Sequence, residues 1–191
     1  MTIKHPKEEP MDRRIQKTRN AIIEAFVGLM AEKNFEQITI NEIADRANVN
    51  RGTVYLHYAD KYDLLDQCIE IHLNQLFQKC PPGGDTDNFS SKDSMLRMFE
   101  YLEQHAFFYS TILTNKGIPA FRKRLLDMAK NSLNEQINIT GINQNIQQEV
   151  LVQFLASAGV GVIEWWITNS MPYPAKDMVE EFWQLLERFQ I

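Results

Sequence analysis

Helix-start signals crowd the stretch 39–60, and this crowding constrains the fold more than any other feature of the sequence. Thr39 followed by Glu42 is the pattern of a capping box, in which each side chain accepts a hydrogen bond from the other residue's backbone N–H. Asn50 and Asp60 are two further N-cap residue types. Three helix starts so close together require three chain reversals, and a short turn between two short helices is typical of a helix-turn-helix.

The chain as a whole is expected to be all-α, because apolar residues recur at three- and four-residue steps and no segment shows sustained two-residue alternation. Asn48 is expected to end the second helix in the left-handed conformation. We expect an N-terminal arm and three-helix helix-turn-helix domain over 1–65, and a helical effector and dimerisation domain over 66–191. The predicted helices, about nine, cover 12–33, 40–47, 51–58, 61–79, 93–104, 106–115, 119–138, 145–168 and 175–189, with a loop over 80–93.

Charge is distributed unevenly along the 191 residues. The net charge is −5, but residues 1–65 hold ten Lys/Arg and ten Asp/Glu, so the acidic excess lies entirely beyond them. Within the neutral part, a basic cluster begins the first helix. A neutral small domain with a local basic edge is compatible with binding a polyanion through a small surface. The cluster consists of Arg13, Arg14, Lys17 and Arg19.

Several classes of protein find no support in the sequence. The N-terminal stretch lacks the apolar core of a signal peptide, and no window approaches the roughly 18 uninterrupted apolar residues of a membrane span. We therefore expect a cytoplasmic protein with no membrane partner, in which Cys68 and Cys80 remain thiols. No nucleophile motif is present, so nothing favours an enzyme, a metal or a cofactor. The four histidines, at no metal-ligand spacing, are His5, His57, His72 and His105.

The third predicted helix has small residues at its start and aromatic residues after them. In a helix-turn-helix this helix lies in the major groove, where Gly52, costing about 1 kcal/mol relative to alanine, permits close approach. Arg51 offers bidentate donors to guanine, Thr53 can hydrogen-bond or touch a thymine methyl group, and Tyr55 can reach a phosphate. An amphipathic surface helix is the alternative, and the residues alone leave both open.

Further residues extend the expected DNA surface. His57 and Lys61 follow on the side that faces the DNA backbone. The Thr39 hydroxyl, with the N-terminal amides of the second helix, is expected to form an anion site. Asn50, at the start of the third helix, belongs to the same surface. Double-stranded DNA is thus the expected partner.

The segment "ITINEIADRANVNRGTVYLHYADKYDLL" closely resembles the DNA-binding signature of the TetR (tetracycline repressor-like) family of bacterial regulators, over about residues 13–65. The resemblance implies DNA contacts at Thr39, Arg51, Gly52, Thr53, Tyr55, His57 and Lys61, and at Asn41 as in some members. Two departures from the family pattern are Asn48 in place of the usual turn glycine and Leu56 in place of a larger or polar residue. The second departure leaves the sequence preference open.

The C-terminal part is similar to a subgroup of the same family that includes regulators related to the dihydroxyacetone kinase activator. The stretch that carries this similarity is "FLASAGVGVIEWWITNSMPYPAKDMVEEF". In it, small residues permit close approach of helices and aromatic residues supply buried anchors, as in obligate interfaces. Packing within one subunit is the alternative. The predicted dimer interface consists of Phe154, Ala158, Gly161, Trp165, Phe182, Trp183 and Leu186.

Aromatic residues interleaved with polar ones suggest a ligand cavity in the C-terminal helices, because such cavities have mostly apolar walls with a few polar groups. Ordinary core packing is the alternative. The predicted lining is Phe99, Leu102, Phe108, Ile112, Phe121, Phe154 and Ser157.

These observations predict a homodimeric transcriptional repressor that binds a palindromic operator and is released by a small-molecule effector. The first alternative is a TetR-like coregulator whose C-terminal domain binds a partner protein instead of a metabolite. The second is an all-α enzyme.

Overall fold

The computed structural model of the protein describes residues 10–78, 92–114, 119–137 and 143–188. Every regular element in these ranges is helical, which confirms the predicted all-α class. Packing divides the chain after Cys68, inside the fourth helix, whereas the sequence suggested a boundary after residue 65. The elements are α1 (Pro10–Glu32), a 3-10 turn (Phe35–Gln37), α2 (Ile40–Arg46), α3 (Arg51–His57), α4 (Lys61–Gln78), α5 (Lys92–Gln104), α6 (Ala106–Thr114), α7 (Pro119–Gln136), α8 (Gln148–Thr168) and α9 (Ala175–Arg188).

Most described helix ends agree with the predicted ones within about two residues, the usual uncertainty of such boundaries. The largest difference is at α8, which begins at Gln148 instead of about residue 145, because turns occupy the residues just before it. Some sequence predictions lie outside the described residues. They are the C-terminal residues predicted for four helices (79, 115, 138 and 189), most of the predicted loop 80–93, and the side chains Cys80 and His5.

In the N-terminal unit, α1 packs on α2 and α2 packs on α3. Burying one large apolar side chain contributes roughly 1.5–3 kcal/mol, so a few such residues from different helices suffice to fix a small unit. The completely buried side chains here come from four helices and include Ile22, Phe26, Ile43, Val54 and Leu64.

The turn between α2 and α3 is closed by a Schellman motif. The N–H of Val49 donates to the oxygen of Ala44 at 3.0 Å, and the N–H of Asn48 donates to that of Asp45 at 3.2 Å. Asn48 has a φ of 53°, so its predicted left-handed conformation is confirmed. Asparagine adopts this conformation more easily than other residues with a side chain.

The 3-10 turn was not predicted from the sequence. It positions Phe35, which is 1% exposed and lies edge-on to Phe26, with ring centroids 6.1 Å apart, and to Tyr62, at 5.2 Å. A three-residue element is too short to produce an apolar periodicity, so it becomes visible only through these tertiary contacts.

In the C-terminal unit, α5 packs on α9, and α8 packs on α6 and α7. Phe99, Tyr109, Phe121 and Trp166 are buried at the centre of this unit. Trp166 Nε1 donates to the backbone oxygen of Tyr173 at 2.8 Å, so the polar atom of this buried indole is satisfied.

Among the described helices, α8 alone is long and apolar enough to cross a membrane, with 21 residues and a mean hydropathy of 1.6. In this fold 44% of that apolar window is buried. A helix that is apolar on most sides is also typical of a packed core. The packing of α6 and α7 on α8 accounts for part of its hydropathy.

Candidate DNA-binding interface

The N-terminus of α2 carries the predicted capping box. The Thr39 backbone N–H donates to Glu42 Oε2 at 3.0 Å, and the Glu42 N–H donates to Thr39 Oγ1 at 3.3 Å. Lys33 also pairs with Glu42, and this hydrogen bond, followed by those from Thr39, lowers the Glu42 pKa to about 2. The expected anion site at Thr39 therefore already contains a carboxylate. Asn41, in the first turn of α2, is exposed.

Asn50 occupies the N-cap position of α3 with extended backbone angles (φ −72°, ψ 147°). Its backbone oxygen accepts a hydrogen bond from the Thr53 N–H at 2.8 Å, but its side chain makes no capping hydrogen bond. The expectation that this side chain caps the helix is therefore wrong. The side chain is instead exposed beside the first turn of α3.

The side chains of α3 divide sharply by exposure. Val54 is completely buried, whereas Leu56 is 82% exposed. In the described part of the chain, a Cβ placed on Gly52 would meet no heavy atom within 4 Å, apart from its own neighbours and helix backbone. The face of α3 opposite Val54 is thus open. Arg51 and Tyr55 are also exposed, while Thr53 and His57 are half-buried.

Arg51 and Tyr55, which are one helical turn apart on α3, contact each other through their side chains. Arg51 Nη2 donates to the Tyr55 hydroxyl oxygen at 3.1 Å, and the guanidinium carbon lies 5.3 Å from the ring centroid. A guanidinium stacked on an aromatic ring is more restricted than a solitary one. The pair therefore presents its other N–H donors in an orientation set before any ligand arrives.

Lys61, expected to face the DNA backbone, turns towards the 3-10 turn. Its Nζ donates to the backbone oxygens of Phe35 at 3.2 Å, Glu36 at 2.9 Å and Ile38 at 3.2 Å. An ammonium group has three N–H donors, so each has a carbonyl acceptor. Only 16% of the side chain is exposed. The structure thus gives Lys61 a role in holding the unit together.

A polar network connects α1, α4 and the residues that follow α3. Arg19 Nη2 donates to Gln67 Oε1 at 2.9 Å, and Gln67 Nε2 donates to Asp63 Oδ1 at 2.9 Å. Asp63 Oδ2 accepts from the Ala59 N–H at 2.8 Å, and the Arg19 guanidinium lies 6.0 Å from the Tyr58 ring centroid. These contacts fix the C-terminal end of α3 within the unit. Arg19 therefore stabilises the packing within this unit. The other members of the basic cluster, Arg13, Arg14 and Lys17, are exposed.

Four predicted interface residues share the outer face of α8, because they recur at four-, three- and four-residue steps along the helix. They are Phe154, Ala158, Gly161 and Trp165. Phe154 is 53% exposed and Trp165 47% exposed. A Cβ on Gly161 would meet nothing within 4 Å among the described residues. This face includes an open groove of about 740 Å³ lined by Glu149, Val150, Gln153, Phe154, Ser157 and Ala158.

The predicted interface residues of α9 are less exposed. Phe182 lies 6.0 Å from Phe99, centroid to centroid, and its Cζ would be 3.3 Å from a Cβ on Gly159. Phe182 therefore packs largely within its own subunit. Trp183 and Leu186 are half-buried.

The structure separates the predicted ligand-lining residues into two groups. Phe154 and Ser157 line the outer groove of α8. The others are at most 5% exposed and lie in the core: Phe99, Leu102, Phe108, Ile112 and Phe121. Apolar periodicity could not make this separation, because α8 carries apolar residues on its exposed outer face as well as on its core face.

Sequence reasoning missed His72, which is half-buried beside the same core. Its ring stacks on Phe108 at a centroid distance of 3.6 Å, and its Nδ1 is buried without a hydrogen-bond partner among the described residues. Burial, and then the nearby His105, lowers the His72 pKa to about 4. The sequence signal that could have identified His72 is its position on the apolar stripe of α4, three residues after Ile69.

Leu56, opposite Val54 on α3, is the second residue missed, because the sequence indicated it only as a departure from the family pattern.

Both units match known families. Residues 22–68 match the family described as bacterial regulatory proteins, tetR family, and residues 90–188 match a family described as transcriptional regulator C-terminal region.

Similarity to individual proteins extends over most of the chain. A TetR transcriptional regulator from Streptococcus agalactiae 2603V, known from a crystal structure, is 27% identical, with a TM-score of 0.69 over 92% of this chain and 97% of that one. The uncharacterised HTH-type transcriptional regulator YxbF of Bacillus subtilis (strain 168) is 25% identical over 95% of this chain and 47% of its own length.

The activator of the dhaKLM operon, DhaS of Lactococcus lactis subsp. lactis (strain IL1403), is 25% identical over 50% of this chain and 48% of its own length. Other relatives, matched over 27% and 36% of this chain, are named as repressors. The chain thus spans about half the length, or less, of these curated relatives.

Proposed function

The chain belongs to the TetR family of transcriptional regulators, and from this premise we propose that it is a repressor. In this proposal a homodimer binds a palindromic operator and is released by a small-molecule effector. The proposal assigns DNA contact to Thr39, Asn41, Asn50, Arg51, Gly52, Thr53, Tyr55 and His57. Lys61, whose ammonium group donates to three carbonyl oxygens, is assigned to the support of this surface instead.

The open face of α3 carries the proposal. The Arg51 and Tyr55 side chains are already paired there, and an arginine can donate in bidentate fashion to guanine in the major groove. The capped α2 and the Schellman turn set the start of α3, and the Arg19 network sets its end. A rigid, exposed helix with donors in a fixed orientation suits base recognition.

A second copy of the chain is the proposed occupant of the outer face of α8. Its exposed aromatic residues would be buried in a two-fold contact, and an interface of this kind uses the same patch on both subunits. A two-fold dimer would place its recognition helices about 34 Å apart, one turn of DNA. The two-fold symmetry requires a palindromic operator, and the spacing sets the distance between its half-sites.

Repression is the simpler action, because a dimer that occupies a promoter excludes polymerase without further contacts. Relatives named as repressors support it, whereas DhaS is an activator. The effector would enter the core around Phe108, where the buried His72 Nδ1 has no hydrogen-bond partner among the described residues. The open α8 groove favours a second candidate, a coregulator that binds a partner protein there.

Selection from a random duplex library, with the full chain as bait, tests the proposal. We expect enrichment of a site with two inverted half-sites about 34–36 Å apart, bound by two chains in native mass spectrometry. Transcription in vitro from a promoter that overlaps this site should fall when the protein is added. Failure to enrich any sequence would overturn DNA recognition, and increased transcription would overturn repression.

A metabolite screen on the protein–DNA complex then separates effector from partner. By linkage, an effector that weakens operator binding must itself bind more weakly, by the same factor, when operator is saturating. Release of the operator only by a protein fraction, and by no metabolite, would favour the coregulator.

A further inference from the structure

We propose that Leu56 reads the methyl group of a thymine in the operator, so that an apolar ridge formed by Gly52 and Leu56 makes the central base contact of α3. This inference rests on the DNA binding proposed above. It assigns specificity to a residue without a hydrogen-bonding side chain.

Helix geometry places the ridge. Successive residues of an α-helix are rotated by about 100°, so Gly52 and Leu56 each lie about 160° from Val54. Val54 is completely buried, and the two ridge residues therefore point away from the core, about 40° from each other. Arg51 with Tyr55, and Thr53 with His57, occupy the two flanks. If α3 enters a groove with its open face, the ridge goes deepest.

The chemistry of the ridge selects its ligand. Leu56 has no donor or acceptor and cannot hydrogen-bond a phosphate, yet 82% of it is exposed. In the major groove only thymine presents a methyl group, and apolar side chains contact it. The open space at Gly52 lets a base edge approach the helix backbone without meeting a Cβ. Leu56 would then exchange contact with water for contact with a methyl group.

Thymine-to-deoxyuridine substitution tests the assignment, because deoxyuridine lacks only the C5 methyl group. The probe is the tightest duplex from the selection, with each thymine of a half-site replaced in turn, and the full chain's affinity is measured by fluorescence anisotropy. For the unmodified protein we expect one position whose substitution weakens binding about fourfold, corresponding to about 0.8 kcal/mol for one buried methyl or methylene group.

The variants locate the reader of that methyl group. Leu56→Ala should bind the methylated and unmethylated duplexes equally, whereas Leu56→Met, which keeps an apolar side chain of similar size, should retain the difference. Thr53→Ser removes the competing methyl group on the flank and should also retain it. Leu56→Ala should leave the salt dependence of binding unchanged, because no phosphate contact is lost.

The outcomes are distinct. The inference is overturned if no thymine is sensitive, if sensitivity persists in Leu56→Ala, or if Thr53→Ser is the variant that abolishes it. It is also overturned if Leu56→Ala weakens operator and random duplex equally, which would indicate a backbone contact. Failure of the unmodified protein to select any duplex would instead overturn the proposed function.

Discussion

The ammonium nitrogen of Lys61 lies 2.9 Å from the backbone oxygen of Glu36, in the 3-10 turn that precedes α2. Two further carbonyl oxygens accept from the same nitrogen, and it lies 4.8 Å from the ring centroid of Phe35. Hydrogen bonds to a charged group contribute about 1.5–3 kcal/mol when buried. Lys61 therefore ties the start of α4 to a turn that lies far from it in the sequence.

Replacing Lys61 by methionine should lower the free energy of unfolding by about 2 kcal/mol, because three carbonyls lose their charged donor. Urea unfolding followed by circular dichroism measures this change. Lys123→Met, an exposed lysine of α7, is the matched control and should unfold like the unmodified protein.

The same Lys61 variant also tests the phosphate contact that the sequence suggested. If unfolding is unchanged and the slope of log affinity against log salt becomes shallower by about 0.9, Lys61 neutralises a phosphate and its structural role is refuted. We expect the slope to remain unchanged.

Arg51→Ala should cost roughly 1–3 kcal/mol of operator affinity and relax the preference at one base in each half-site. Tyr55→Phe keeps the ring under the guanidinium and removes only the hydroxyl acceptor, so its effect should be smaller. Anisotropy titrations on operator and random duplex give both numbers. An equal loss on the two duplexes would show that Arg51 reads no base.

Gly161→Leu should convert dimers to monomers without unfolding the subunit. Within one chain the described structure leaves open space at Gly161, so a new side chain would clash only with a second copy. Gly159→Leu is the informative contrast, because its side chain would meet Phe182 inside the subunit and should lower thermal stability instead. Light scattering and thermal melts distinguish the two. A Gly161→Leu variant that remains fully dimeric would exclude this face.

The sequence predicted those features that depend on neighbours in the chain. The capping box at Thr39 and the left-handed Asn48 each follow from a few adjacent residues, and both are confirmed. The contacts of Lys61 with the carbonyl of Phe35, and the stacking of His72 on Phe108, join residues that are distant in sequence. Periodicity and propensity carry no information about such pairs, so these contacts could not be predicted from the sequence.

The Glu42 carboxylate predicts how stability depends on acid. Its pKa is about 2 in the folded chain, against an ordinary value of 4.5, chiefly because of Lys33 and then Thr39. The contribution of this carboxylate to the free energy of unfolding should therefore be complete above pH 4.5 and be lost as the pH falls towards 2. Glu42→Gln should be less stable at neutral pH and show a flatter pH dependence over that range. Parallel urea midpoints for the two proteins across pH 2 to 4.5 would contradict this assignment.

His72 should produce a second acid dependence, at higher pH and in the C-terminal unit. Burial, then His105, lowers its pKa from 6.5 to about 4. Between these values the unfolded chain binds a proton that the folded chain does not, so stability should decrease as the pH falls from 6.5 to 4. His72→Phe cannot bind that proton and preserves an aromatic ring against Phe108, so its urea midpoints should vary less over this range.

At neutral pH the His72→Phe variant should also be more stable, by on the order of 1 kcal/mol. The substitution removes a buried Nδ1 that has no hydrogen-bond partner in the described part of the chain. His105→Gln is the control, because His105 is the smaller of the two causes that lower the His72 pKa. Since burial of His72 is the larger cause, this variant should retain the greater part of the acid dependence. If the proposed effector hydrogen-bonds Nδ1, His72→Phe should bind it more weakly while holding the operator as tightly as the unmodified protein. A variant that still releases the operator at the same effector concentration would place the effector elsewhere.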